Sequence, residues 1–269
     1  MTSNTYYLRP NDEDVRLVSY VSMTAREMPF NEKRKALLIC PGGAYSYCSE
    51  RESEAVAMPF IARGFNAFVL YYSVKEKSKF PTPLIDASLA VKFIKDHADE
   101  FHIDPDHIFV IGFSAGGHLA GALGTMWHDK RVYDAIDMPY GYNKVRGAIL
   151  CYAVITAGKY AHRGSIDNIL GMNHSENADP ALLDSVSIEK QVDKDTVPMF
   201  VWHTAPDTTV PVQNSLMLCH ALADNGIPFE LHVYPTGGHG ISLATDVVGS
   251  PNAIASRWVD DAFRFVNSL

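Results

Sequence analysis

Several features that mark particular classes of protein are missing from this sequence. It contains no long run of lysine and arginine, and its formal net charge is −8. Nucleic acids and other polyanions require a concentrated basic surface, so this composition argues against such a partner. No stretch is repetitive or rich enough in glycine and proline to predict a linker. A length of 269 residues suits one α/β domain, and we therefore expect a single domain over residues 1–269.

Signals for export and for membrane insertion are also missing. Residues 1–10 contain neither a basic segment nor an apolar run of signal-peptide length. The longest apolar runs fall far short of the roughly 20 residues that cross a bilayer. These absences predict a soluble, cytoplasmic protein with no membrane partner, and they leave open whether it forms a homo-oligomer.

Cysteine is scarce, and its spacing resembles no metal motif. The four cysteines are Cys40, Cys48, Cys151 and Cys219. Three of them lie in or beside apolar segments, where a reduced thiol packs as a small hydrophobic group. No other cluster of side chains has the spacing of metal ligands. We therefore expect neither a metal nor another cofactor.

Short β-rich runs alternate with helical patterns along the chain. The runs cover residues 15–21, 36–40, 67–72, 108–112, 147–152, 198–203 and 229–234. Several are apolar on both faces, which is typical of central strands covered by helices on both sides. Apolar residues between 84 and 98 recur at three- and four-residue steps, which predicts a helix, and further helices are predicted over 211–225 and 254–266. The repetition predicts an α/β fold with a mostly parallel, doubly wound sheet.

One polar stretch, about 156–196, departs from this alternation. It contains turn signals around Gly164 and Gly171 and a short helical pattern at 181–186. We interpret it as a small cap insertion over the strand ends, where such segments shape pockets. The alternative is an ordinary surface connection with no part in binding.

The strongest motif is Gly-Phe-Ser-Ala-Gly at 112–116, which follows a buried strand pattern and precedes a helical one. A sharp strand-to-helix turn lifts the hydroxyl of Ser114 above the sheet and leaves no room for side chains at Gly112 and Gly116. The N-terminus of the following helix favours negative charge above it. The motif predicts that Ser114 is a nucleophile. The alternative is a glycine-rich turn in which this serine caps a helix.

A nucleophilic serine requires a base, because its hydroxyl is weakly nucleophilic at neutral pH. His239 is the best candidate, since it lies on a glycine-rich loop directly after the last strand pattern. We interpret His118, His203 and His232 as structural residues, with His203 close to the site. The sequence therefore predicts a serine hydrolase with His239 as general base.

An acid that orients the base is expected between the serine and the histidine in chain order. Asp207 comes shortly after the strand pattern 198–203 and just before a helical one. A carboxylate there can accept the proton on the far ring nitrogen of His239 and stabilise the imidazolium. Asp184, Asp193 and Asp195 also lie in this interval, but they belong to the polar stretch, where exposed acids are common.

Acyl transfer builds negative charge on the carbonyl oxygen, which must meet preorganised amide donors. Residues 41–45 follow the strand pattern 36–40, and their glycines leave backbone amides uncovered by side chains at the carboxyl end of that strand. We expect the donors to be the amides of Gly43, Ala44 and Ala115. By itself the pair Gly42-Gly43 would predict a tight turn. The glycine loop, the serine, the acid and the histidine follow one another in the chain order expected of a serine hydrolase, however, and this order favours an oxyanion hole.

Together these segments resemble the bacterial acetyl-esterase and xylan-esterase-like α/β hydrolases. The segments that carry the resemblance are 41–45 (PGGAY), 49–54 (SERESE), 104–108 (DPDHI), 112–118 (GFSAGGH), 203–211 (HTAPDTTVP) and 238–240 (GHG). The resemblance covers the chain from about Leu37 to the last helix and implies the α/β-hydrolase fold with Ser114, Asp207 and His239 as its triad. One position departs from the pattern of this family, which usually has a third glycine where this chain has Ala44. Its methyl group is expected to narrow the acyl pocket or to tilt an oxyanion donor.

The resemblance implies hydrolysis of short-chain esters, acetyl esters above all, on carbohydrates such as acetylated xylo-oligosaccharides. The partner would then be a small-molecule ester, and Tyr45, Tyr47 and Trp127 are candidates for stacking on the sugar. Feruloyl esters and general small esters are alternatives, as is a serine peptidase related to the prolyl oligopeptidases, although the β-propeller of those enzymes is missing. A non-catalytic binding protein that has kept the fold is a further alternative, which the complete set of triad residues disfavours.

Overall fold

The computed structural model describes residues 1–27 and 33–269, and its strands in those ranges form one eight-stranded sheet. The strands are β1 (Thr2–Arg9), β2 (Asp12–Val21), β3 (Arg34–Cys40), β4 (Asn66–Tyr71), β5 (Ile103–Phe113), β6 (Gly147–Cys151), β7 (Met199–Thr204) and β8 (Phe229–Tyr234). Their order across the sheet is β1-β2-β4-β3-β5-β6-β7-β8. Strand β2 runs antiparallel to β1 and β4, and all other pairs are parallel. The predicted mostly parallel sheet is confirmed.

Helices cover both faces of the sheet. They are α1 (Glu54–Ile61), α2 (Thr82–Asp96), α3 (Ala115–Thr125), α4 (Lys130–Ala135), α5 (Arg163–Leu170), α6 (Pro180–Ser185), α7 (Gln213–Asp224) and α8 (Trp258–Asn267). One apolar core lies between the sheet and α2, α3 and α7, and a second lies between the opposite face and α1 and α8. Successive residues of β3 alternate between these cores: Leu38 faces the first, whereas Leu37 and Ile39 face the second. This burial of both faces explains the continuous apolar runs in the central strands.

The sequence missed β1 and placed the start of the last helix too early. Strand β1 is mostly exposed at the edge of the sheet, so it lacks the apolar pattern that reveals a strand, and only pairing with β2 defines it. The last helix begins at Trp258 rather than Ile254, because residues 255–257 form a 3-10 turn. The other seven strands and the helix ending before Asn225 lie where they were predicted. No helix in the described ranges has the length and apolar character that a membrane span requires.

Candidate active site

The turn between β5 and α3 holds Ser114 in a conformation that few side chains adopt. Its φ and ψ are 53° and −116°, outside the regions that residues other than glycine normally occupy. Its amide donates to the carbonyl of Cys151 (3.0 Å), and its carbonyl accepts from the amide of Val154 (3.0 Å). A Cβ atom at Gly112 or Gly116 would collide with backbone carbonyls. The predicted need for glycine on both sides of Ser114 is therefore confirmed.

Three side chains from different loops form one hydrogen-bonded series. The Ser114 hydroxyl lies 2.8 Å from Nε2 of His239, and Nδ1 of His239 lies 2.7 Å from Oδ2 of Asp207. Since a carboxylate can only accept, Nδ1 carries the proton and Nε2 accepts from the serine hydroxyl. The three residues follow β5, β7 and β8, whose carboxyl ends meet at one edge of the parallel sheet. The structure thus brings the three predicted residues together in the orientation that proton transfer requires.

The carboxylate of Asp207 is buried, and donors contact both of its oxygens. Its Oδ1 accepts from the amides of Thr209 (2.9 Å) and Val210 (3.0 Å), and its Oδ2 also lies 3.3 Å from Nε2 of His203. Burial by itself would raise the pKa of Asp207, but the hydrogen bonds from His203 and His239 lower it more, to well below its ordinary value. Asp207 is therefore negatively charged at any physiological pH.

Two of the histidines that the sequence predicted to be structural, His118 and His232, bind groups outside the hydrogen-bonded series. His118 is buried, with Nε2 on the carbonyl of Val186 (2.7 Å) and Nδ1 on the hydroxyl of Tyr45 (2.7 Å). Burial lowers the pKa of His118 to about 4, so this ring is neutral at physiological pH. His232 pairs with Glu230 (2.6 Å) on β8. The contacts of both rings agree with the structural role predicted for them.

Backbone amides without a partner lie beside Ser114. In the loop that we call the oxyanion loop, residues 41–45, Gly43 and Ala44 have φ values of 124° and 55° and line the same cavity as Ser114. Within the described part of the chain, the amides of Gly43, Ala44 and Ala115 donate to no other group. A positive φ at Ala44 strains a side chain that glycine would lack, so this backbone conformation favours glycine.

The cavity around Ser114 is small, about 200 Å³. Besides Ser114, its lining consists of Gly43, Ala44, Tyr47, Ser49, Arg51, Glu52, His162, Thr209, His239 and Gly240. Of the three aromatic residues predicted to stack on a sugar, only Tyr47 lies here, with 56% of its surface exposed. In the described ranges no group of three or more His, Cys, Asp or Glu side chains has the geometry of a metal site.

The prediction that Tyr45 and Trp127 stack on a sugar is wrong. Tyr45 is 1% exposed, because its ring packs against Tyr72 and its hydroxyl binds His118. Trp127 is 5% exposed and lies beyond the far end of α3, where its indole nitrogen donates to the carbonyl of Asp195 (3.0 Å). Neither ring is available to a ligand, because each is part of the packed core.

Comparison with known proteins identifies the family. The profile of the BD-FAE family matches residues 27–222, well over half of the chain. The chain belongs to the BD-FAE family. Its structure resembles that of the acetyl ester-xyloside bifunctional hydrolase of Caldicellulosiruptor lactoaceticus, with a TM-score of 0.83 and 34% identity over 98% of this chain and 96% of the other. The fold is therefore the α/β-hydrolase fold, as the resemblance in sequence implied.

Two curated relatives align with about four-fifths of this BD-FAE chain. Endo-1,4-beta-xylanase B of Butyrivibrio fibrisolvens is 39% identical over 221 residues, and the acetylxylan esterase of Xylanibacter ruminicola is 28% identical over 222 residues. These alignments cover 80% and 81% of this chain. The chain spans only 33% and 43% of the lengths of these relatives.

Among the side chains of this BD-FAE site that the sequence did not identify, two come from residues 156–196, here called the 156–196 segment. His162 lines the cavity, and its Nδ1 accepts from the hydroxyl (2.8 Å) and amide (3.3 Å) of Ser165 at the start of α5. Its proton therefore lies on Nε2. Nδ2 of Asn168 donates to the carbonyl of Ala44 (2.7 Å) and to Oγ of Ser46 (2.8 Å). The turn at 162–164 was visible in the sequence, but no local pattern indicated that it faces the nucleophile.

Proposed function

We propose that this chain is a serine carboxylesterase that removes short acyl groups, acetyl above all, from carbohydrates such as acetylated xylo-oligosaccharides. The observation that carries the proposal is the hydrogen-bonded series from Ser114 through His239 to Asp207, beside three amides that have no partner among the described residues. This arrangement supplies a nucleophile, a base, an orienting acid and donors for an oxyanion, which are the parts that acyl transfer requires.

In the proposed acylation, Oγ of Ser114 attacks the ester carbonyl while Nε2 of His239 takes the hydroxyl proton. Asp207 stabilises the imidazolium that forms. The carbonyl oxygen becomes an oxyanion, which accepts hydrogen bonds from the amides of Gly43, Ala44 and Ala115. When the tetrahedral intermediate collapses, the bond to the alcohol oxygen breaks, and His239 returns its proton to that alcohol.

Deacylation repeats these steps with water in place of the serine. Nε2 of His239 removes a proton from the water, which attacks the acyl carbonyl, and the same amides hold the second oxyanion. Collapse of this intermediate breaks the bond to Ser114, whose oxygen recovers a proton from the imidazolium. The acid product then leaves and the enzyme returns to its starting state.

The size of the cavity and the names of the relatives support a short acyl group on a sugar. A volume of about 200 Å³ suits a small acyl group better than a long chain. One curated relative is named an acetylxylan esterase, and the similar solved structure is an acetyl ester-xyloside bifunctional hydrolase. We further propose that the 156–196 segment is a cap on a single domain, since His162 borders the cavity. The cytoplasmic location and any homo-oligomer stay predictions.

The first test is hydrolysis of p-nitrophenyl esters from acetate to octanoate, together with acetate release from acetylated xylo-oligosaccharides. We expect activity on acetate in both assays. The variant Ser114→Ala should lower kcat by about 10⁴-fold or more without unfolding the protein. Substantial activity remaining in the folded variant would refute the assignment of Ser114.

The same assays separate the alternatives. A preference for longer acyl chains would favour a general carboxylesterase, and a preference for feruloyl esters an aromatic acyl group. Hydrolysis of peptides without hydrolysis of esters would favour a serine peptidase. If no substrate is hydrolysed and a fluorophosphonate probe does not label the protein, a non-catalytic binding protein would be favoured.

A further inference from the structure

A buried carboxyl group that the proposed mechanism does not use lies in the wall of the cavity. Glu52 is 3% exposed, and no cationic nitrogen of the described residues lies within 4 Å of its oxygens. Burying a carboxylate without a paired cation is costly unless hydrogen bonds compensate for the lost water. The position of Glu52 therefore requires an explanation, which its hydrogen-bond partners supply.

Both oxygens of Glu52 accept hydrogen bonds, one from a backbone amide and one from a tyrosine hydroxyl. Oε2 accepts from the amide of Gly42 (2.8 Å), and Oε1 lies 2.6 Å from the hydroxyl of Tyr152. That hydroxyl also accepts from the amide of Ser242 (2.9 Å), and its own hydrogen is directed to Glu52. Burial raises the pKa of Glu52 above its ordinary value, although the bonds from Tyr152 and Gly42 oppose this rise. The pattern of donors suits the carboxylate form.

These bonds connect two loops that are distant in sequence. Gly42 belongs to the oxyanion loop, whereas Ser242 lies in residues 235–244, here called the histidine loop, which carries His239. The ring of Tyr152 also packs against that of His239, with centroids 5.1 Å apart and planes at 70°. Glu52 and Tyr152 thus form one bridge that contacts the backbone of both loops and the ring of His239.

We infer that Glu52 and Tyr152 are positioning residues that set the oxyanion loop and the histidine loop at the separation that acyl transfer requires. The inference rests on the proposed function. Neither residue touches the reacting atoms. The amides of Gly43 and Ala44 must meet the oxyanion while Nε2 of His239 faces Ser114, and a shift of either loop would disturb one of these contacts.

The variants Glu52→Gln and Tyr152→Phe each break this bridge with little change of shape. In Glu52→Gln one oxygen becomes an amide nitrogen, so either the amide of Gly42 or the hydroxyl hydrogen of Tyr152 loses its acceptor. Tyr152→Phe removes a single hydroxyl. We expect each variant to lower kcat for p-nitrophenyl acetate by roughly 10- to 100-fold, less than the loss of an oxyanion donor can cause, and to change KM by less than about threefold.

Two further readouts distinguish positioning from stability alone. The rate at which a fluorophosphonate labels Ser114 should fall in parallel with kcat, because the probe requires the same base and the same amides. The double variant should be about as slow as the slower single variant, because both changes break one bridge. Matched controls are Glu50→Gln, an exposed residue of the same turn, and Tyr142→Phe, which removes a surface bond to Asp96 (3.0 Å); both should match wild type.

Each possible outcome decides the inference. Normal kcat and labelling in folded single variants, or losses that multiply in the double variant, would overturn it. If Glu52→Gln does not fold, Tyr152→Phe decides alone, and a normal kcat there would refute the bridge. Wild-type protein that neither hydrolyses esters nor reacts with the probe would instead refute the proposed function. Active wild type with equally active variants would refute only this inference.

Discussion

The loops that follow the strands and the 156–196 segment both border the cavity, but they are built differently. The strand-end loops place Ser114, Asp207 and His239 through backbone hydrogen bonds and close packing of glycine, as at the turn after β5. The 156–196 segment contributes His162 to the cavity wall and the side chain of Asn168, which donates to the carbonyl of Ala44. We therefore expect changes in the loops to affect the chemical step and changes in the segment to affect substrate binding.

The largest contrast is expected between acids of the two regions. Asp207→Asn should lower kcat by about 10⁴-fold, because an amide no longer fixes the tautomer of His239 or stabilises the imidazolium. Asp195→Asn, in the 156–196 segment, is the matched control and should leave kcat within about twofold of wild type. Steady-state kinetics on p-nitrophenyl acetate measures both. A large loss of kcat in Asp195→Asn, or only a mild loss in Asp207→Asn, would contradict the assignment of Asp207 as the acid that orients His239.

A change at His162 tests whether the 156–196 segment contributes to binding. Burial and the neighbouring His239 lower the pKa of His162, so the ring is neutral. Its Nε2 hydrogen has no acceptor among the described residues and can donate to a substrate. The variant His162→Asn keeps a cap for α5 but removes that donor. We expect KM for an acetylated xylo-oligosaccharide to rise about 3- to 10-fold with kcat nearly unchanged, as for loss of one hydrogen bond.

The exposed His174 of the same segment supplies the control for this prediction. His174→Asn should behave as wild type, because that side chain is 80% exposed and lies on the surface. If His162→Asn lowers kcat and leaves KM unchanged, the ring acts on the chemical step, and the division between the two regions fails at this residue.

The smallest expected effect concerns the methyl group of Ala44. Ala44→Gly removes this group from the wall of the acyl pocket and relieves the positive φ, so longer acyl chains should fit better. The ratio of butyrate to acetate hydrolysis should rise about two- to fivefold, less than the effect of one methylene in a closed hydrophobic pocket, because Ala44 forms only part of this wall. Ala253→Gly, on an exposed turn, should leave the ratio unchanged. A ratio that does not move would mean that Ala44 does not limit the pocket.

Contiguous motifs predicted their structures well, whereas isolated side chains did not. The turn at Ser114 was recognisable because a buried strand, two glycines and a helix stand in one stretch of sequence. Tyr45 follows the recognised glycines, yet it points into the core and binds His118. Glu52 lies in the 49–54 motif (SERESE), but its role depends on Tyr152, which is 100 residues away along the chain. Sequence spacing carries no information about such contacts, because tertiary packing creates them.

By itself, the sequence determined the alternation of strands and helices, the turn at Ser114 and the order of the three proposed catalytic residues. Apolar periodicity and glycine at strained positions are local properties, so they can be recognised without knowledge of the fold. Only the tertiary structure decided that Tyr47 and His162 face the cavity, that Trp127 does not, and that Glu52 bridges two loops. A cavity wall is assembled from distant segments, so the burial and hydrogen-bond partners of its side chains exist only once those segments have packed together.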